Sequence, residues 1–117
     1  MIFIIHSLNM TEAAIEFENR VHQKCYIPGR DTNQNQHGDD ILRDNLKAMK
    51  NSDENVFCLW DGESYGSLFD MGMAYALEKR IIPIAYVSTD KHWKRFFKQK
   101  IDDGDSIKFE DKNDNKK

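Results

Sequence analysis

Continuous apolar runs alternate along most of the chain with stretches whose apolar residues fall at helical spacing. Ile2 to Ile5 is the first run, Cys25-Tyr26-Ile27 the second, Val56 to Trp60 the third and Ile81 to Val87 the fourth. Runs without polar alternation predict strands covered on both faces, as in a parallel sheet. After the first run, Thr11 followed by Glu12 is an N-cap signal. Ala14, Phe17 and Val21 then recur at helical spacing, and Lys24 closes the helix. A second helix is predicted after a cap at Asp39 or Asp40, with Leu42, Leu46 and Met49 as its buried face, and a third over Ser67 to Lys79. Beyond the fourth run, Thr89-Asp90 caps a helix carrying Trp93, Phe96 and Phe97 on one side and lysines on the other, and Ser106 to Glu110 offers a short edge strand. Strands and helices alternating through short connections predict an α/β domain with right-handed crossovers.

Two breaks interrupt the pattern. His6-Ser7-Leu8-Asn9 is a turn, and Pro28-Gly29 stops the second strand. From Arg30 to Gly38 the chain is polar and unpatterned, which suits either an active-site loop or a mobile one. With 117 residues there is room for one domain, expected over 1–110, and the polar tail over 111–117 is expected to be disordered. The net charge of -3 and pI near 5.8 give no basic footprint, which argues against polymeric nucleic acid as a partner. No run approaches the ~18 apolar residues of a membrane span, and Met1-Ile2-Phe3-Ile4-Ile5 lacks the basic flank of a signal peptide. Cys25 and Cys58 lie in strand-like runs without CxxC spacing, so they read as two reduced, buried thiols of a cytoplasmic protein.

Candidate chemistry gathers where the loops leave the carboxyl ends of the strands, the usual ligand crevice of an open parallel sheet. The His6-Ser7 turn, the Pro28 to Gly38 loop and the Asp61 to Asp70 segment converge there. Asp70 has apolar neighbours in Leu68, Phe69, Met71 and Met73. If Ser67 caps the third helix, Asp70 is its N3 residue and completes a short capping box. The other reading is a nucleophile or acid/base group at the crevice floor. Ser64 and Gly66 form either a tight turn or part of an anion site at a helix start. Gly72, Ala74 and Ala76 leave a small-residue surface for close packing on the sheet or on a partner subunit. His6 is either a polar turn residue or a catalyst, whereas His22, His37 and His92 lack metal-site spacing. Asp44 and Asn45 can also face the crevice, since Asn45 lies off the Leu42-Leu46-Met49 stripe. The phosphate-binding GxxxxGK loop, the GxSxG elbow and a GxGxxG after the first strand are all missing from the sequence.

In their order these pieces resemble the nucleoside 2-deoxyribosyltransferase family, which includes related deoxynucleoside 5′-monophosphate N-glycosidases. The likeness covers roughly Ile2 to Val87. It rests on the first strand, on Pro28-Gly29-Arg30-Asp31 as a P-x-R-D-like turn, and on Ser52-Asp53 leading into Val56-Phe57-Cys58-Leu59-Trp60-Asp61. It rests most on Gly66-Ser67-Leu68-Phe69-Asp70-Met71-Gly72-Met73-Ala74 as a version of the family's G-x-x-x-E-x-G-x-A. The resemblance implies a flavodoxin- or Rossmann-like three-layer α/β sandwich with four or five mainly parallel strands, a homodimer or larger assembly, and no metal or organic cofactor. It implies cleavage or transfer of the N-glycosidic bond of a 2′-deoxyribonucleoside or its 5′-monophosphate. Asp70, one methylene shorter than the family glutamate, would be the nucleophile. Ser64 and Gly66 would meet the sugar 5′ end, Asn45 and Asp44 would serve the base, and Phe3, His6 and Asp61 would line the pocket. The replacements at Asp70, Asn45 and Phe3 also allow a nucleotide-binding module without turnover. A small domain that docks only to proteins is a third reading.

Overall fold

The structure, a computed structural model, describes residues 1–61 and 64–85. Within them the element order is β1 (Ile2–His6), a 3-10 turn (Leu8–Met10), α1 (Thr11–Val21), β2 (Cys25–Tyr26), α2 (Pro28–Asp31), α3 (Gly38–Lys50), β3 (Asn55–Leu59), α4 (Tyr65–Ala76) and β4 (Arg80–Ala85). The four strands form one all-parallel sheet in the order β2-β1-β3-β4. This is the parallel α/β arrangement that the apolar runs predict, and its strand order is flavodoxin-like, as the resemblance implies. The expected helix from Thr89, the edge strand over Ser106 to Glu110 and the tail over 111–117 lie outside the described residues.

The continuous strands have a physical cause in the two cores they separate. Ile2, Ile4, Phe57, Leu59, Ile82 and Ile84 face one side, where Ala14 and Phe17 of α1 pack. Phe3, Ile5, Val56, Cys58 and Ile81 face the other, against Met49 of α3 and Met71 and Ala74 of α4. A strand buried on both faces has no position to give to a polar residue, so period-two alternation disappears. Cys25 and Cys58 are both buried and unpaired, each in its strand.

The helix boundaries differ from expectation in several places. Thr11 is the first residue of α1, not its cap, and its hydroxyl donates back to the Leu8 carbonyl, while α4 ends at Ala76, short of Lys79. Helix α1 stops at Val21, short of Lys24, because His22 turns into the left-handed region (φ 54°) and its N–H closes on the Glu18 carbonyl. Pro28–Asp31 forms a short helix where the pattern suggests only a turn, with proline at its first position, where no N–H is needed. Helix α3 is capped by His37, whose Nδ1 accepts from the Asp39 N–H at 3.2 Å, while Asp39 and Asp40 sit in its first turn. Its buried stripe is also rotated. Met49 and Asn45 are buried, whereas Leu42 and Leu46 are only half-buried, since this flank borders the neighbouring helix and an open cavity. Finally, α4 begins at Tyr65 and its N-cap is Ser64, whose Oγ accepts from the Ser67 N–H at 3.1 Å.

A polar clasp fixes the sheet edge beside β2. The Glu18 carboxylate accepts from the Cys25 N–H (2.8 Å) and from two nitrogens of Arg30 (2.6 and 3.1 Å). The guanidinium also donates to the Cys25 carbonyl and to Asp31, and the Asp31 carboxylate accepts from the Ile27 N–H. Paired with Arg30, Glu18 is held below the usual carboxylate range. The clasp ties the ends of α1 and β2 to α2 and thereby sets where the following loop begins.

Candidate active site

A cavity of about 670 Å³ opens at the carboxyl edge of the sheet. Three of its walls come from the segments that follow strands. His6 and Ser7 lie at the end of β1, Pro28 and Gln34 bracket the loop after β2, and Asp61, Ser64, Tyr65, Gly66 and Asp70 follow β3. Ile41, Leu42 and Asn45 of α3 close a fourth, largely apolar side. The volume falls within the range of about 300–1,000 Å³ typical of small-ligand sites.

Asp70 lies deepest in chemical terms. Because Ser64 is the cap, Asp70 sits in the second turn of α4, beyond the orphan N–H groups that a capping box serves. The capping-box reading therefore falls. The carboxyl is 4 % exposed, and Asn45 Nδ2 donates to its Oδ1 at 3.5 Å. Burial disfavours the charged form and pushes Asp70 up to about 7, against the opposing pull of the Asn45 amide. Cys58, behind it on β3, is fully buried, and burial together with the charges of Asp70 and Asp61 pushes its thiol up, so it stays protonated. No lysine or arginine is found among the described lining residues.

His6 is held by both ring nitrogens. Its Nε2 accepts from the Gly29 N–H at 3.2 Å, which places the ring proton on Nδ1, and Nδ1 donates to the Ser7 carbonyl at 2.7 Å. Burial lowers its pKa. His6 is thus a neutral wall of the cavity and a clamp between β1 and α2. Beside it, the Ser7 Oγ is buried with no hydrogen-bond partner among the described residues, an unused donor in the cavity wall.

Ser64 serves two partners at the start of α4. Its N–H donates to Asp61 Oδ1 at 2.9 Å, and its Oγ takes the Ser67 N–H, so its hydroxyl proton remains to be given. The N–H groups of Tyr65 and Gly66, at the first two helical positions, have no intrahelical acceptor.

The cavity brings together Asp70, Asn45, Ser64, Gly66, Asp61 and His6, but not Phe3 or Asp44. Phe3 is fully buried well below the strand end, stacked on Tyr26 with centroids 5.5 Å apart. Asp44 points away on the exposed side of α3 and accepts from Gln36 Nε2. Three residues that the sequence pattern does not single out also matter. Gln34 lines the cavity and donates its amide to the Pro28 and Thr32 carbonyls. Thr32 donates its hydroxyl to Asn45 Oδ1 at 2.7 Å, and the Tyr26 hydroxyl lies 2.6 Å from Thr32 Oγ1. Gln34 and Thr32 lie in a polar stretch without periodicity, where nothing but the fold distinguishes one hydroxyl or amide from the next, and Tyr26 lies in an apolar run that accounts for its ring but not for its hydroxyl.

Among the described residues, no group of three His, Cys, Asp or Glu side chains could hold a metal ion. No helix among them is long and apolar enough to cross a membrane. Compared with models of known protein families, with characterised proteins and with solved structures, the chain gives no significant match.

Proposed function

We propose that this protein cleaves or transfers the N-glycosidic bond of a 2′-deoxyribonucleoside or its 5′-monophosphate, with Asp70 as the nucleophile, as the resemblance to nucleoside 2-deoxyribosyltransferases implies. One observation carries the reading. A carboxyl group lies nearly dry in the wall of a ligand-sized cavity, and no lysine or arginine among the described lining residues neutralises it. As the C1′–N bond lengthens, positive charge develops on C1′ and the ring oxygen, and an ionised Asp70 stabilises it most where water is scarce. An Asp70 oxygen then bonds to C1′, and the base leaves with the electron pair of the broken bond and takes a proton from solvent. Water or a second base next attacks C1′, breaks the sugar–Asp70 ester and restores the carboxylate. Asn45 is an amide and has no acidic proton to give, so its part is to hold Asp70 and the base edge by hydrogen bonds. The Ser64 hydroxyl and the Tyr65 and Gly66 N–H groups suit the sugar 5′ end.

A second reading has its own support. With the shorter aspartate at position 70 and an amide at position 45, the same cavity serves as a nucleotide-binding module without turnover. Incubation with the four deoxynucleosides and their 5′-monophosphates, followed by chromatography for free base, separates the two. Base release that disappears in Asp70→Asn supports the enzyme. Binding without release, unchanged in Asp70→Asn, supports the module. Addition of a second base then distinguishes transfer from hydrolysis.

A further inference from the structure

A continuous line of hydrogen bonds runs from the surface of β2 to the proposed nucleophile. Tyr26 OH and Thr32 Oγ1 are 2.6 Å apart, Thr32 Oγ1 donates to Asn45 Oδ1 at 2.7 Å, and Asn45 Nδ2 donates to Asp70 Oδ1 at 3.5 Å. Thr32 and Asn45 are 5 % and 4 % exposed, so neither exchanges its partner for bulk water without cost. Proton counting fixes the direction of the line. The Thr32 hydroxyl has one proton, and Asn45 Oδ1 can only accept, so the proton goes there. Thr32 Oγ1 must then accept from Tyr26. With its oxygen held by Thr32, the Asn45 amide has only its nitrogen to turn toward Asp70.

We infer that Thr32, backed by Tyr26, is a positioning residue. It locks the Asn45 amide so that a donor, never the carbonyl oxygen, faces Asp70, and so favours the charged form of the proposed nucleophile against the effect of burial. The backbone of the loop at position 32 does not depend on the hydroxyl. The neighbouring turn is already closed by backbone bonds, including Thr32 N–H to the Pro28 carbonyl. Tyr26 is anchored by its stack on Phe3, which keeps its hydroxyl at the outer end of the line. The other ionisable groups around Asp70 do not substitute for this donor. His6 at the end of β1 has both nitrogens engaged, the Cys58 thiol on β3 is directed to Met71 Sδ at 3.9 Å, and Asp61 in the loop before α4 carries the same sign of charge.

The inference rests on Asp70 being the reacting group, but its test does not need turnover. The Asp70 side-chain carboxyl is followed by carbon-13 NMR against pH in the full chain, with Asp70→Asn identifying its signal. Thr32→Val keeps the shape and removes the hydroxyl, freeing the amide to turn its oxygen inward. The expected result is an Asp70 midpoint raised by roughly 0.5 to 1 pH unit, a 3- to 10-fold weaker acid. Thr32→Ser returns it to the wild-type value. Tyr26→Phe, which keeps the ring stack, shifts it in the same direction by less, and serves as the test should Thr32→Val not fold. A midpoint that stays in place in Thr32→Val, or in Tyr26→Phe where that variant stands in, overturns the inference. If the wild type releases no base yet the midpoint moves, the positioning line stands and the N-glycosidic reading falls. If base is released and the midpoint does not move, the reverse holds.

Discussion

Asp70→Asn separates the energetics of the buried carboxyl from its chemistry. Asparagine has nearly the same shape and still accepts from Asn45, so packing around position 70 is preserved while the ionisable group is removed. In the unfolded chain Asp70 titrates at its ordinary 3.8, whereas in the folded protein burial raises it to about 7. Between those values the folded state binds more protons than the unfolded one, so stability falls with rising pH. The contribution of the protonated group is fully present below 3.8, is lost as pH rises through 7, and is flat beyond. A difference of about 3 pH units corresponds to roughly 4 kcal/mol at ~1.4 kcal/mol per unit. Water reaching the carboxyl from the open cavity reduces this, so roughly 2–4 kcal/mol is expected.

The asparagine variant has no proton to lose at this position and escapes that decline. Urea denaturation of both proteins at intervals from pH 5 to pH 9, extrapolated linearly, gives the part of the difference that develops above pH 5, about two-thirds of it. The variant should gain on the wild type progressively as the pH rises and hold a constant advantage above about pH 8. His6, with its lowered pKa, makes stability rise with pH across part of the same range, but both proteins carry it and it cancels in the difference. Two curves that stay parallel from pH 5 to pH 9 would show that Asp70 is hydrated and ordinary, and would refute the idea of a desolvated nucleophile.

Other substitutions probe the scaffold around the site. A Cβ added at Gly29 would lie 2.0 Å from Thr11 Oγ1 and 2.8 Å from His6 Cε1, so Gly29→Ala should cost about 2 kcal/mol or more in chemical denaturation and disturb the His6 clamp. Ser64→Ala removes the α4 cap and should cost about 1 kcal/mol of stability while weakening ligand binding, with the first read by thermal melting and the second by calorimetric titration. Arg30→Lys keeps the charge but loses the fork that serves Glu18, Asp31 and the Cys25 carbonyl together; a loss of about 1 kcal/mol is expected in the same melts.

Legibility from sequence followed burial. The strands were readable because their apolar runs are uninterrupted, a consequence of burial on both faces that is complete in β1 and nearly so in β3 and β4. Helix ends were harder, since they depend on which of several polar residues turns back on the backbone. His37 caps α3 although two aspartates stand beside it, and Ser64 caps α4 although Ser67 fits the simplest pattern. That second shift matters for function, because it moves Asp70 from a capping position to an interior one. The Tyr26–Thr32–Asn45 line was illegible for a different reason. Its members belong to an edge strand, a loop and a helix flank, and only the packing of α3 beside that loop brings them within hydrogen-bonding distance.

The charges in the cavity rank its possible ligands. Asp61 and Asp70 are both there, and the partial positive end of α4 is the one favourable electrostatic feature among the described lining residues. Below pH 7 Asp70 is mostly protonated, so a 5′-phosphate at the start of α4 meets one carboxylate. Above pH 7 it meets two, and the phosphate itself gains charge through its second ionisation at about pH 6. A neutral deoxynucleoside meets neither repulsion. Raising the pH from 6 to 8 should therefore weaken binding of a deoxynucleoside 5′-monophosphate by about 3- to 10-fold relative to the matching deoxynucleoside. In Asp70→Asn that relative loss should shrink, leaving only the part due to Asp61 and the phosphate. Calorimetric titration of both ligands at the two pH values measures it. If nucleoside and nucleotide lose affinity in parallel, or if the asparagine variant behaves like the wild type, then the phosphate does not share a cavity with an ionising Asp70, and the assignment of Ser64 and Gly66 to the sugar 5′ end is wrong.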